Sequence, residues 1–126
     1  MRFRLATMDD AKLLFEWRND PLTRAMSNNT EPVPWEGHLA WLESRLARQN
    51  PHLYIIEDDG PIGTFRVDDD QVSYTIAPGS RRRGLATEAL TLVRRQFGPL
   101  QAEIKPGNIA SIKAAERAGM IVRIIE

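Results

Sequence analysis

The segment from Ile76 to Ala86 constrains this chain most, because it joins a predicted strand to a predicted helix through three arginines and two glycines. The helix that begins after Gly84 starts without a capping side chain, so its first N–H groups lack intrahelical partners at the positive end of the helix dipole. A terminus of this kind is suited to a phosphate group. Gly84 lets the backbone approach an anion closely, and the guanidinium groups of Arg81 to Arg83 add positive charge.

The composition indicates one globular domain over residues 1–126, with 42% hydrophobic and 27% charged residues. Seventeen basic and seventeen acidic residues give zero formal net charge, so no nucleic-acid partner is expected and the arginine run acts locally. The absence of cysteine excludes disulfides and a cysteine nucleophile, and two histidines are too few for a zinc site. No apolar run approaches the roughly 20 residues that span a bilayer. We therefore expect a cytoplasmic protein with no metal and no membrane partner.

Hydrophobic periodicity and turn residues divide the chain into alternating strands and helices. Thr7 is the predicted N-cap of the first helix, which ends at Asn19-Asp20-Pro21, and residues 21–34 are predicted to be a loop. The remaining predicted elements are a helix from Pro34-Trp35 to Asn50, strands at 53–57, 62–67 and 72–77, a helix at 84–96, a strand at 100–104, a helix at 108–118 and a strand at 120–125. The three central strands are separated by Asp- and Gly-rich turns, which favour an antiparallel meander. The strand, helix and strand that follow favour a parallel connection, so the predicted fold class is mixed α/β with helices on both faces.

Two motifs carry a family resemblance. Arg81-x-x-Gly84-x-Ala86 resembles the acetyl-coenzyme A signature of the GCN5-related N-acetyltransferases, the GNAT family, and Asn108-x-x-Ser111 in a helix that ends at Gly119 resembles the second hallmark of that family. Their separation and the order of elements also fit, and the resemblance covers nearly all of the chain. The family usually adds one more strand after the strand at 120–125. The resemblance therefore implies that this last strand has an uncovered edge or pairs with another subunit, in a possible homodimer.

The resemblance also implies a cofactor site. In the family, the strand that corresponds to 72–77 splays from the strand that corresponds to 100–104, and the pantetheine arm of coenzyme A lies in the opening. The backbone of Thr75, Ile76 and Ala77 would then bind pantetheine amides as an added strand does. The amides from Arg83 through Leu85 and Ala86 to Thr87 would take the pyrophosphate, with the side chains of Arg81 and Arg82 close enough to assist. Asn108 and Ser111 would face the same cofactor.

For catalysis, the resemblance implies direct attack of a neutral amine on the thioester, without an acyl-enzyme. Many members have a tyrosine seven residues after the asparagine, where it can protonate the departing thiolate. This chain has Ala115 at that position. Ser111 is the first substitute as the acid that protonates the leaving thiolate, and Tyr74 is the second. Asp70, Glu103 and His52 are the candidates for the base, and the sequence does not choose among them.

The acceptor site is expected in the N-terminal half. Trp17-Arg18-Asn19-Asp20-Pro21 and His38-x-x-Trp41 resemble the branch that includes ribosomal-protein N-terminal acetyltransferases and enzymes acting on nucleotide-linked amino sugars. Arg18, Asn19, Asn28 and His38 are the predicted contacts to an amine acceptor, either a small molecule or a peptide. The alternative function is a degenerate domain that binds coenzyme A without catalysis, as the missing tyrosine and the missing last strand would allow.

Overall fold

A six-stranded sheet forms the centre of the computed structural model, which describes residues 1–27, 30–48, 53–81 and 84–125. The strands lie in chain order, β1 to β6, and the first four pair antiparallel while β4, β5 and β6 pair parallel. The strands are β1 Arg2–Leu5, β2 Leu53–Glu57, β3 Pro61–Asp68, β4 Gln71–Ile76, β5 Gln101–Ile104 and β6 Ile121–Ile124. The helices are α1 Ala11–Asn19, α2 Pro21–Met26, α3 Trp35–Leu46, α4 Leu85–Phe97 and α5 Ile109–Arg117, with 3-10 turns at Met8–Asp10 and Pro78–Ser80.

Helices cover both faces of the sheet, as predicted. In β2, Leu53 and Ile55 belong to one buried cluster with residues of α1 and α3, whereas Ile56 belongs to a second cluster with residues of α4 and α5. Neighbouring residues of a strand point to opposite faces, so this alternation places the two helix pairs on opposite sides. The predicted mixed α/β class, mostly antiparallel with a parallel C-terminal part, is confirmed.

The prediction of a loop over residues 21–34 is wrong at its start, where α2 forms. Asp20 accepts a hydrogen bond from the backbone N–H of Thr23 at 3.1 Å, and Pro21 occupies the first turn, where its missing N–H costs nothing. Asp20 and Pro21 therefore end one helix and begin the next. Two other bounds also differ: α3 ends at Leu46, four residues earlier than predicted, and Pro61 lies within β3.

Thr7 caps the 3-10 turn that leads into α1, which confirms its predicted position. Its hydroxyl accepts from the N–H of Asp9 at 3.2 Å, while the carboxylate of Asp10 accepts from the N–H of Thr7 at 2.9 Å, so the two ends of a capping box are present. Asp10 also accepts two hydrogen bonds from Arg4, at 2.8 and 2.9 Å. The turn is thereby fixed to β1 at the edge of the sheet.

β6 is the other edge strand, and no strand follows it among the described residues. Its register with β5 is regular, running from Gln101 opposite Ile121 to Ile104 opposite Ile124. Ile121 and Ile124 are 58% and 51% exposed. Pairing of this edge with another subunit stays a prediction.

Candidate active site

The sheet opens between β4 and β5. The two parallel strands are in register at a single pair, Gln71 opposite Gln101, and beyond it they have no further paired residues. The edge of β4 that faces β5 therefore has no strand partner from Val72 to Ile76. The opening lies where the resemblance implied it. Such a gap exposes backbone groups that can pair with an extended ligand.

Gly63 in β3 supports β4 beside this opening. A β-carbon on Gly63 would lie 2.5 Å from the carbonyl oxygen of Thr75, a separation that atoms in folded proteins do not tolerate. The backbones of β3 and β4 approach closely here because Gly63 has no side chain. Ala77 continues the contact past the strand, since its N–H donates to the carbonyl of Ile62 at 2.8 Å.

The start of α4 lies directly after the turn that follows β4. Gly84 is its N-cap, with φ at 72° and no side-chain cap. The left-handed conformation favours glycine, and no atom stands within 4 Å of the position that a β-carbon would take. Leu85, Ala86 and Thr87 form the first turn, and no side chain among the described residues caps its N–H groups. The predicted bare helix terminus is thus present, while Arg82 and Arg83 lie outside the described residues.

Arg81 is engaged within the protein. Its guanidinium donates to Asp20 at 2.9 Å, to the hydroxyl of Thr23 at 2.8 Å and to the carbonyl of Ile76 at 3.2 Å. Burial alone would raise the pKa of Asp20, but the Thr23 N–H and the Arg81 guanidinium outweigh it and hold that pKa below its usual range. Sequence reasoning missed Asp20 and Thr23 as partners of the arginine motif. The capping pattern Asp-Pro-x-Thr was the available signal for the helix, and nothing local predicts its contact with Arg81.

Tyr74 and Ser111, the two alternative acids, are brought together. The phenol of Tyr74 extends from β4 to α5, where it contacts the hydroxyl of Ser111 and donates to the Ser111 carbonyl at 3.3 Å. Asn108 caps α5 and accepts from the N–H of Ser111 at 3.4 Å, which fixes the turn that carries the hydroxyl. Burial raises the pKa of Tyr74, and the hydrogen bond to Ser111 opposes this to a smaller extent. The phenol therefore stays protonated, as a proton donor requires.

The candidate bases are placed apart from one another. Asp70 lies in the turn before β4 and accepts from the side chain of Gln101 at 2.8 Å, at the closed end of the split. Tyr74 lies four positions further along the strand, a distance of about 13 Å. Glu103 is exposed in β5, where its neighbours Ala102 and Ile104 are buried on the α4 and α5 side. Glu103 therefore lies on the opposite face, beside the open part of the split, and His52 lies outside the described residues.

His38 does not reach the surface. It is fully buried, its Nε2 lies 2.8 Å from the carbonyl of Ala11, and its Nδ1 lies 3.1 Å from the guanidinium of Arg18. A carbonyl and a guanidinium are satisfied together only when Nε2 carries the proton and Nδ1 accepts, so the ring is neutral. Burial lowers the pKa of His38, the Ala11 carbonyl opposes this, and the Arg18 charge lowers it further. This burial argues against the prediction that His38 contacts an acceptor directly.

Arg18 fits the predicted contact with an acceptor better than Asn19 or His38 does. Its guanidinium lies over the ring of Trp41 at 4.4 Å from the centroid, and it has no carboxylate partner within the parts of the chain that the structure describes. Asn19 is occupied instead, since its amide donates to and accepts from the backbone of Val33 at 3.0 and 2.8 Å. Asn28 lies outside the described residues.

Among the described residues, no group of three or more His, Asp or Glu side chains is arranged to hold a metal ion. No helix in residues 1–27, 30–48, 53–81 and 84–125 is long and apolar enough to cross a membrane.

Solved structures with the same fold include several acetyltransferases. A domain from Methanocaldococcus jannaschii superposes with a TM-score of 0.75 at 26% identity, over 94% of this chain and 86% of that one. The aminoglycoside acetyltransferase AAC(6')-Ib, in complex with coenzyme A and kanamycin, has a TM-score of 0.73 at 22% identity, over 93% and 81% of the two chains. YncA from Salmonella typhimurium, a putative acetyltransferase with its cofactor acetyl-CoA, has a TM-score of 0.71 at 24% identity, over 94% and 78%.

Sequence comparison gives the family directly. No curated protein matched this chain at a significant level. The family model described as an acetyltransferase (GNAT) domain matches residues 1–121, which contain both motifs and the strands β1 to β5 but only the first residue of β6. The chain therefore belongs to the GNAT acetyltransferase family.

Proposed function

We propose that this protein is an acetyl-coenzyme A dependent N-acetyltransferase that transfers the acetyl group to a primary amine within a ternary complex. One observation carries the proposal: the opening between β4 and β5 has the uncapped start of α4 at one end and the Tyr74–Ser111 pair beside it. A thioester lying in this opening would meet an anion site and a proton donor. The neighbours crystallised with coenzyme A or acetyl-CoA support the same cofactor here.

The backbone supplies most of the cofactor contacts in this proposal. On the free edge of β4, the Ile76 N–H pairs with a pantetheine amide, as an added strand would. The Thr75 carbonyl faces Gly63 in β3 and the Ala77 N–H donates to Ile62, so these two predicted contacts are occupied on the other side of the strand. The first-turn amides of α4, from Leu85 to Thr87, bind the pyrophosphate. Asn108 caps α5 and keeps Ser111 near the cofactor tail.

The reaction requires attack of the amine on the thioester, protonation of the leaving sulfur and loss of a proton from the nitrogen. The amine nitrogen attacks the thioester carbonyl, a C–N bond forms, and the negative charge passes through the carbonyl oxygen before the C–S bond breaks. Tyr74, hydrogen-bonded to Ser111, donates a proton to the departing sulfur. The nitrogen loses its proton to a base, and Glu103 is the remaining described candidate beside the open part of the split, acting directly or through water.

Two classes of acceptor are candidates: a nucleotide-linked amino sugar and a protein N-terminus. Crystals of AAC(6')-Ib contain kanamycin or ribostamycin, and each of these structures is 22% identical to this chain in sequence. They support an amino-sugar acceptor. Arg18, a guanidinium without a carboxylate partner among the described residues, would suit an acceptor that carries a phosphate.

The second candidate function is a module that binds coenzyme A without catalysis. Ala115 stands where many relatives have their acidic tyrosine, and here it is fully buried in the core formed with α4. This position therefore supplies no acid. The contact between Tyr74 and Ser111 favours the enzyme over the module, because it provides an acid from β4 in place of the one missing from α5.

The test measures thiol release from acetyl-coenzyme A in the presence of amines. The panel contains UDP-linked amino sugars, aminoglycosides and peptides with a free N-terminal alanine. Turnover with at least one class, together with micromolar binding of coenzyme A by calorimetry, is the expected result. Binding without turnover for any amine would favour the module, and absence of binding would refute both functions.

A further inference from the structure

Hydrogen bonds connect helix α2 to the residues that follow β4 and β5, the two strands that separate at the opening. At its start, Arg81, which lies just past β4, donates to Asp20 and Thr23. At its other end, Lys105, which directly follows β5, donates to the carbonyl of Ala25 at 3.3 Å. The helix is therefore tied to the open ends of both β4 and β5.

Apolar packing contributes little to the position of α2. None of its six residues is buried, and Leu22 is 51% exposed. A helix of this length is not stable by itself, so its place depends on tertiary contacts. Polar ties join both ends of α2 to the rest of the fold, and the bonds from Arg81 to Asp20 and Thr23 are shorter than the bond from Lys105.

Arg81 uses all three guanidinium nitrogens for these ties. Nη1 contacts Asp20, Nη2 contacts Thr23 and Nε contacts the carbonyl of Ile76, the last residue of β4. A planar guanidinium with fixed donor directions can link a strand end to a helix start in this way, whereas an ammonium cannot make the same three bonds. The Arg81 charge is also balanced by Asp20 at 2.9 Å.

We propose that Arg81 is a positioning residue that holds α2 across the open ends of β4 and β5, with Asp20 and Thr23 as its partners, and that it is not a phosphate contact. The position of Arg81 in the glycine-arginine motif would otherwise assign it to the pyrophosphate. In this proposal the amides of α4 bind the diphosphate, and Arg81 links the cofactor side of the protein to the N-terminal half. The proposal rests on the proposed cofactor site, but the position of α2 can be measured without any ligand.

The experiment measures hydrogen exchange of the amides in residues 20–27, and the affinity for coenzyme A by calorimetry. Asp20→Asn keeps the capping of α2, because asparagine is an equally good N-cap, and removes only the ion pair. We expect Asp20→Asn and Arg81→Gln each to speed exchange in α2 about tenfold, and the double variant to add little more. Both variants should raise the dissociation constant for coenzyme A by less than tenfold.

Arg81→Lys is the second variant, because it keeps the positive charge and loses the planar guanidinium that makes the three hydrogen bonds. We expect it to loosen α2 as much as Arg81→Gln does. Arg95→Gln removes an exposed arginine near the far end of α4, and it is the matched control that should change neither readout. Circular dichroism and the melting temperature establish that each variant is folded.

Two outcomes would overturn the proposal. One is unchanged exchange in α2 for folded Arg81→Gln. The other is a loss of coenzyme A affinity of tenfold or more in Arg81→Gln but not in Asp20→Asn, which would make Arg81 a phosphate contact. If the unmodified protein does not bind coenzyme A, the proposed function fails, and the exchange in α2 still decides the role of Arg81.

Discussion

At the scale of single residues, the structure brings the two candidate acids into contact with each other. Tyr74 and Ser111 are separate candidates in the sequence, 37 positions apart, and the fold places their hydroxyl groups in contact. Ser111 is held by the Asn108 cap and Tyr74 by its place in β4. Partial burial raises the pKa of Tyr74 despite the opposing hydrogen bond to Ser111, so the phenol stays protonated, which suits protonation of a leaving thiolate.

Replacing Tyr74 by phenylalanine should lower turnover about a hundredfold while the affinity for coenzyme A stays the same. The substitution keeps the ring and removes only the donor hydroxyl. Thiol release at saturating substrates measures the effect, and calorimetry measures the affinity. Tyr54→Phe is the matched control, because Tyr54 stacks on Phe65 in β3, and it should keep its turnover. Normal turnover in Tyr74→Phe would remove the phenol from the mechanism.

Replacing Gly84 by glutamate should abolish coenzyme A binding, with the fold retained. Space for a side chain exists there, so the new carboxylate would occupy the place of the diphosphate and repel it. Calorimetry with coenzyme A is the measurement. Gly60→Glu is the matched control, since Gly60 also has a positive φ and an open surrounding, in the turn before β3. Unchanged affinity in Gly84→Glu would refute the placement of the phosphates.

His38 should make the protein less stable in mild acid. Its folded pKa lies below the unfolded value of about 6.5, so its stabilising effect is complete above that value and is lost as pH falls toward the folded pKa. Urea unfolding at pH 7.5, 6 and 5 measures the slope. His38→Gln should remove this part of the slope. An identical slope in His38→Gln would contradict the buried neutral ring.

At the scale of elements, the split between β4 and β5 depends on how closely β3 approaches β4. The paired strands of the meander hold β4 from one side only, and Gly63 permits the approach next to Thr75. The opening on the other side then remains free for a ligand.

Gly63→Ala should destabilise the protein by about 1–3 kcal/mol, because its methyl group would collide with the Thr75 carbonyl. The displaced end of β4 should also weaken coenzyme A binding. Thermal unfolding and calorimetry are the measurements. Gly79→Ala meets no atom within 4 Å, so it should change stability by less than about 0.5 kcal/mol. A Gly63→Ala protein with unchanged stability would show that β3 and β4 tolerate a wider spacing.

At the scale of the whole molecule, ion pairs join different elements of the chain. Arg81 binds Asp20 and Arg45 binds Asp68 across 61 and 23 positions, and Arg4 binds Asp10 across six. For Asp10, the Arg4 hydrogen bonds lower the pKa, burial opposes them and the Thr7 N–H adds to the lowering. A carboxylate with a lowered folded pKa stabilises the fold fully above its unfolded pKa of about 3.9 and loses this effect as pH falls through the folded value.

Stability should therefore decrease below about pH 4, and Asp10→Asn should make this decrease shallower. At pH 7 the same variant should lose about 2 kcal/mol, because the charged hydrogen bonds from Arg4 to Asp10 are lost while Arg4 keeps only its pair with Glu57 at 3.2 Å. Urea unfolding between pH 7 and pH 2.5 is the measurement. Asp59→Asn, at an exposed turn residue, is the control. An acid slope that Asp10→Asn leaves unchanged would assign the effect to other carboxylates.

Periodicity, capping residues and the two motifs are local signals, and they were enough to predict most of the elements, the bare start of α4 and the family resemblance. The same signals missed α2, since Asp20 and Pro21 end one helix and start another. The burial of His38, the bond from Arg81 to Asp20 and the contact between Tyr74 and Ser111 became visible in the folded protein alone. These contacts join residues 20 or more positions apart, and the path of the chain that brings them together leaves no local pattern in the sequence.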